Sequence, residues 1–124
     1  MSKPECLAPG TICDLAMNAQ ELRSGDPYRR DGHAARTLVR EDDLRTVLIA
    51  INRGARLAEH AADATVTIHV LSGQVRLHIP GQPTPVELAP GHILVLPRGL
   101  AHDVEAIAES AVLVTLGWNH KAAA

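Results

Sequence analysis

Between Gly54 and Gly117 the chain never travels far without a turn residue. Short β-prone runs fall at 56–61, 65–71, 75–79, 86–88, 93–96, 101–106 and 111–117. Turn signals separate them: Ala62-Asp63, Ser72-Gly73, Pro80-Gly-Gln-Pro83, Ala89-Pro-Gly91, Pro97-Arg-Gly99 and Ala108-Glu-Ser110. Brief runs of branched aliphatic residues closed by Gly and Pro are strands. Many such strands with no long helical period leave few architectures, namely a β-sandwich or a β-barrel.

The chain before Gly54 is mixed. Residues 1–10 hold Pro4, Pro9 and Gly10 and read as a flexible arm. Asn18 followed by Glu21 has capping-box spacing, and Gly25 can close a short helix there. Gly25-Asp-Pro27 and Arg29-Arg-Asp-Gly32 read as loop. Ala35, Thr37 and Val39 alternate with Arg36, Leu38 and Arg40, as in a half-buried strand. Glu41-Asp-Asp43 is a solvated turn. The run Val47-Leu-Ile-Ala-Ile51 has no polar face, so both sides need cover, one from the core and the other from a partner subunit. The expected layout is an arm with a short helix over 1–33, a barrel over 34–118 and a frayed tail over 119–124.

A chain of 124 residues with 46% hydrophobic content fits one domain with a sizeable core. Aromatic residues are 2%, Tyr28 and Trp118 only, so that core is aliphatic and a pocket in it has almost no stacking platform. A net charge of −2, with no basic cluster, excludes the electrostatic footprint of a nucleic-acid binder. Cys6 and Cys13 match no zinc or redox spacing. They read as free thiols in a reducing cytoplasm, with a disulfide across the arm as the alternative. Lys3, Pro4 and Glu5 precede any apolar run, unlike a secretory signal. No run approaches the ~20 apolar residues of a membrane span. A cytoplasmic protein is expected.

The spacing of glycines and histidines resembles the cupin superfamily of small jelly-roll barrels (double-stranded β-helices). In the pattern G-x5-H-x-H-x3–4-E-x6-G, Gly54, His60 and Gly73 fall in place. In G-x5-P-x-G-x2-H-x3-N, Gly91, Pro97, Gly99 and His102 do. The resemblance covers residues 37–117 and implies an all-β single-domain cupin of the RmlC-like kind. Gly73 and Gly91 are expected at turns that need positive φ.

Metal-binding cupins take two His and a Glu from the first motif and a His from the second. Carried over by position, His60 and His102 are kept. The second His position is Ala62, the Glu position is Val66, and the closing Asn position is Ala106. Two imidazoles fall short of the three protein ligands of catalytic zinc sites or the two His and carboxylate of oxygenase iron. The other histidines do not repair the set. His69 lies three residues beyond Val66 and so faces the other way on its strand. His78 alternates with Val75, Leu77 and Ile79, and His92 abuts a turn glycine. Asp103 or Glu59 could hold the His60–His102 pair. Arg56 and Arg98 read as solvated residues, with a carboxylate-binding role at the rim as the alternative. Trp118 reads as an anchor at the barrel edge or a dimer contact. No nucleophile with an orienting base and no phosphate-binding loop is legible.

Three functional expectations follow. The first is a homodimeric cupin-like protein that binds a small molecule around His60, Ala62, Val66 and His102, without a tightly held metal. The second is a metal-dependent enzyme of the dioxygenase or isomerase type, with Zn, Fe, Ni or Mn on a reduced or unusual ligand set that includes His60 and His102. The third is a structural or regulatory module whose sheet face binds a protein.

Overall fold

The computed structural model describes residues 7–118, with Glu59 and His60 described by backbone alone. Two short helices come first, α1 (Leu15–Arg23) and α2 (Asp26–Asp31). Nine strands follow: β1 (His33–Arg40), β2 (Leu44–Ile51), β3 (Arg56–His60), β4 (Thr65–Ser72), β5 (Val75–His78), β6 (Val86–Leu88), β7 (Ile93–Leu96), β8 (His102–Ala106) and β9 (Ser110–Gly117). They form a five-stranded sheet in the order β1-β2-β9-β4-β7 and a four-stranded sheet in the order β3-β8-β5-β6. Every pairing in both sheets is antiparallel. The all-β jelly-roll barrel expected from the sequence is the fold observed.

Period-two alternation decides which side chains meet inside. On β4, Val66, Ile68 and Val70 are buried while Thr67 and His69 between them are not. The inner core joins Ile51, Val66, Ile68, Val70 and Val112 of the larger sheet to Val75, Leu77, Leu88 and Val104 of the smaller. Burying such a side chain contributes roughly 1.5–3 kcal/mol, and this core holds the sheets together.

A second cluster lies on the outer face of the larger sheet. Ala19 and Leu22 of α1 and Tyr28 of α2 pack on Leu38, Leu48, Ala50 and Ala111. The run 47–51 is therefore covered on both faces, with Ile49 and Ile51 on the inner core and Leu48 and Ala50 on the outer one. The outer cover is the chain's own helices. The chain itself closes the face that a partner subunit was expected to cover at this run.

Other expectations in this region need correction. The cap of α1 is Asp14, whose side chain accepts from the Met17 N–H at 3.0 Å. Asn18 sits inside the helix and donates from Nδ2 to the Asp14 carbonyl at 2.8 Å. Gly25 does not close α1; it is the N-cap of α2, in the stretch read as loop. Asp26 and Pro27 occupy the first turn of that helix, where proline's missing N–H costs nothing. On β1, the buried residue is Leu38, and the register slips between Thr37 and Val39. Cys13 is a free thiol, and Cys6 lies outside the described residues, as does the expected tail.

Candidate ligand site

Cross-strand register brings the site together. In the larger sheet Val47 faces Val114, which faces Ile68, and Leu116 faces Val66. In the smaller sheet Leu57 faces Val104, and His60 faces His102. Between these rows lies a cavity of ≈150 Å³. Val47, Ile49, Val66, Ile68, Val112, Val114 and Leu116 form one wall, from β2, β4 and β9. Leu57, His102 and Val104 of β3 and β8, with Ala62 from the β3–β4 loop, complete it. Among the described residues, His102 is the single polar side chain on the lining.

His102 is 3% exposed. Its Nδ1 lies 3.1 Å from the Leu100 carbonyl oxygen. A carbonyl only accepts, so Nδ1 carries a proton, and in the neutral ring Nε2 is an acceptor. The turn that delivers His102 to β8 is fixed by the Gly99 N–H donating to the Ala62 carbonyl at 2.9 Å and the Leu100 N–H to the Pro97 carbonyl at 3.3 Å. Gly99 adopts φ +80° there. Ala62 therefore serves the site through its backbone, whatever its side chain has lost.

The expected site residues divide accordingly. Ala62, Val66 and His102 line one cavity. His60 is opposite His102 in register, but its side chain lies outside the described residues. Glu59, a carboxylate expected beside the pair, has its side chain outside them too. Asp103, the other carboxylate expected there, is on the outer face, 3.3 Å from Arg56. Arg98 pairs with Asp63 at 3.4 Å and is 57% exposed. Neither arginine lines the cavity. His69 sits on the outer side of β4, and His78 bonds Glu105 through Nε2 at 3.1 Å. His92 Nδ1 accepts from the Ala89 N–H at 3.0 Å, which is a turn role. Trp118 lies under the Arg45 guanidinium, 5.6 Å from ring centroid to Cζ, and its backbone N–H donates to the Asp43 carbonyl. The residues that the sequence reading missed are the aliphatic ones, Val47, Ile49, Leu57, Ile68, Val104, Val112, Val114 and Leu116. Their only sequence signal is the alternation that also builds the core.

Among the described residues, the donor set does not fit the divalent metal that the cupin resemblance implies. Ala62 and Val66 offer hydrocarbon where a His and a Glu are needed, and among the described residues no three His, Cys, Asp or Glu converge. No described helix is long and apolar enough to cross a membrane.

Fold and cavity together define a cupin-type ligand-binding domain. A family model for the AraC-like ligand binding domain matches residues 45–121, and the chain belongs to that family. No curated protein matches it. Among solved structures, a conserved protein of unknown function from Streptococcus pyogenes is 22% identical, with a TM-score of 0.70 over 90% of each chain. A cupin superfamily protein from Desulfitobacterium hafniense is 16% identical, with a TM-score of 0.66 over 70% of this chain and 78% of that one. The DMSP lyase DddQ from Ruegeria pomeroyi is 23% identical, with a TM-score of 0.66 over 83% of this chain and 55% of that one. Identities at this level establish the shared barrel and nothing about its chemistry.

Proposed function

We propose that the barrel is a receptor for a small molecule, working without a tightly held metal. One observation carries the reading: among the described residues, the cavity between the sheets is lined by ten aliphatic residues and one buried imidazole. A mainly apolar pocket of that kind desolvates a ligand and leaves its orientation to few polar groups. Family membership supports it, since the matching domain is described by ligand binding rather than by a reaction. The chemistry of the lining weighs against the enzymatic alternative. Acid/base work needs a second positioned group, and nucleophilic catalysis needs a nucleophile with its base.

The test is a small-molecule screen by thermal shift on untagged protein, repeated on Ala62→Leu, with metal analysis of the same preparation. Hits should stabilise the native protein and lose their effect when Leu fills the cavity. Near-stoichiometric Zn, Fe, Ni or Mn surviving dialysis would overturn the metal-free reading.

A further inference from the structure

The larger sheet sets two like charges side by side. Arg40 on β1 stands directly opposite Arg45 on β2. Residues directly opposite in an antiparallel pair share a face, with Cβ atoms about 4.5–5.5 Å apart. We infer that these two guanidiniums form a binding site for an oxyanion, the carboxylate or phosphate group of a small molecule, at the rim of the barrel. The site goes beyond the receptor reading above and does not depend on it.

Register places the pair. On its other side Arg45 faces Leu116 of β9, and alternation puts it on the same face of β2 as Val47. Val47 and Leu116 both line the cavity, so Arg45 stands one step beyond that wall. Its side chain is held ready. The guanidinium lies over the Trp118 ring, 5.6 Å from the centroid, and the backbone N–H of Trp118 is tied to the Asp43 carbonyl at 3.0 Å. The Arg45 Nε is closed off from solvent and has no acceptor. A planar cation that is already stacked, with one edge dry, gives up little freedom and little hydration when it meets an anion.

Charge makes the pair unusual. Seven of the chain's ten arginines have a carboxylate within 3.7 Å. Among the described residues, Arg40 and Arg45 have none; the third such arginine, Arg53, is exposed in the turn before Gly54. The acids nearest in sequence, Glu41, Asp42 and Asp43, form the turn between β1 and β2, all exposed. Glu41 follows Arg40 and closes the hairpin with its N–H on the Leu44 carbonyl at 2.8 Å, so its side chain falls on the opposite face. Asp42 and Asp43 at the tip temper the field without pairing with either guanidinium. Like charges directly opposite repel. An oxyanion taking N–H groups from both relieves that repulsion and gains charge-assisted hydrogen bonds.

Trp118 is the chain's one tryptophan, so its fluorescence reports on Arg45 in the unmodified protein. Inorganic phosphate and acetate are each titrated into the full chain at pH 7, with sodium chloride holding the ionic strength constant. At least one should give a saturable change with a Kd of about 1–10 mM. Arg45→Gln should weaken that binding at least tenfold. Arg40→Gln, at an exposed position on the edge strand, should weaken it roughly threefold or more and leave the Trp118 stack in place. Arg45→Lys keeps the charge without the planar fork and should restore only part of the affinity. Saturation with phosphate alone assigns a phosphate group, and saturation with acetate alone a carboxylate. A change with neither anion beyond that of chloride would overturn the site. Saturation that survives unchanged in Arg40→Gln would overturn the pairing of the two arginines.

Discussion

Gly73 and Gly91 share a backbone conformation, φ +82° and +87°, yet their surroundings differ. A Cβ at Gly91 would meet nothing within 4 Å, whereas one at Gly73 would run into the Glu109 carbonyl and Ser110, including its Cα at 2.6 Å. Ser110 cannot retreat. It is fully buried, and its Oγ lies 2.7 Å from the Ala108 carbonyl oxygen while accepting from the Gln74 N–H at 3.0 Å. Gly91→Ala should therefore cost only the left-handed backbone penalty, about 1–2 kcal/mol. Gly73→Ala adds overpacking, for a total of roughly 3 kcal/mol or more. Urea unfolding of the two variants checks the difference, and equal losses would contradict it. Positive φ at both was legible from turn chemistry. The close approach at Gly73 was not, since Ser110 is distant in sequence.

Glu105 gives a second prediction at this scale. The His78 N–H bonded to its carboxylate holds its pKa below the ordinary 4.5, with Arg56 and Arg76 acting in the same direction and desolvation opposing them. A carboxyl depressed in the folded state adds stability above its unfolded pKa and loses it as pH falls through the folded one. The window lies below pH 4.5. His78→Leu should raise the Glu105 pKa toward its ordinary value, read by carboxyl carbon NMR, and lower stability slightly at pH 7 but not at a pH below the folded pKa.

At the scale of elements, the helices close the larger sheet. Leu48 is 0% exposed between β2 and the α1–α2 pair. Leu48→Ala should cost about 2–5 kcal/mol by chemical denaturation. Met17→Ala, at a position 57% exposed on α1, should stay within about 0.5 kcal/mol. Strands β4–β9 were legible to within a residue or so because Gly and Pro mark their ends. Helix α2 was not, since Asp26-Pro27 has the same signature whether it opens a turn or a helix. The outer cover of 47–51 was misread for a related reason. An apolar strand face says that something must cover it, but the covering face of α1 is only Ala19 and Leu22. The site was half legible in the same way. His102, Ala62 and Val66 stand at fixed motif positions, but Leu57 and Val114 become pocket walls only through pairings that a linear sequence does not display.

At the scale of the molecule, the two outer sheet surfaces are managed differently. The larger sheet wears helices. The smaller sheet carries a row of alternating charge straight across its strands: Arg56 faces Glu105, which faces Arg76, which faces Glu87. Opposite charges directly across strands add a few tenths of a kcal/mol to about 1 kcal/mol each and keep that face in water. The charged row disfavours an apolar docking role for this sheet. The barrel is thus held by its aliphatic interior, with surface pairs as minor terms, and no described donor cluster is available for a metal to tie the sheets together. This has a measurable consequence. A metal present at a thousand times its Kd would add about 4 kcal/mol to the folded state. In a domain of 124 residues its removal would lower Tm by roughly 10 °C or more. Dialysis of untagged protein against a strong chelator should instead move Tm by less than about 1 °C, well under that mass-action shift. A drop of several degrees, restored by one divalent ion, would show that donors beyond the described set complete a metal site. The aliphatic cavity would then be the outer part of a metal centre rather than the receptor itself.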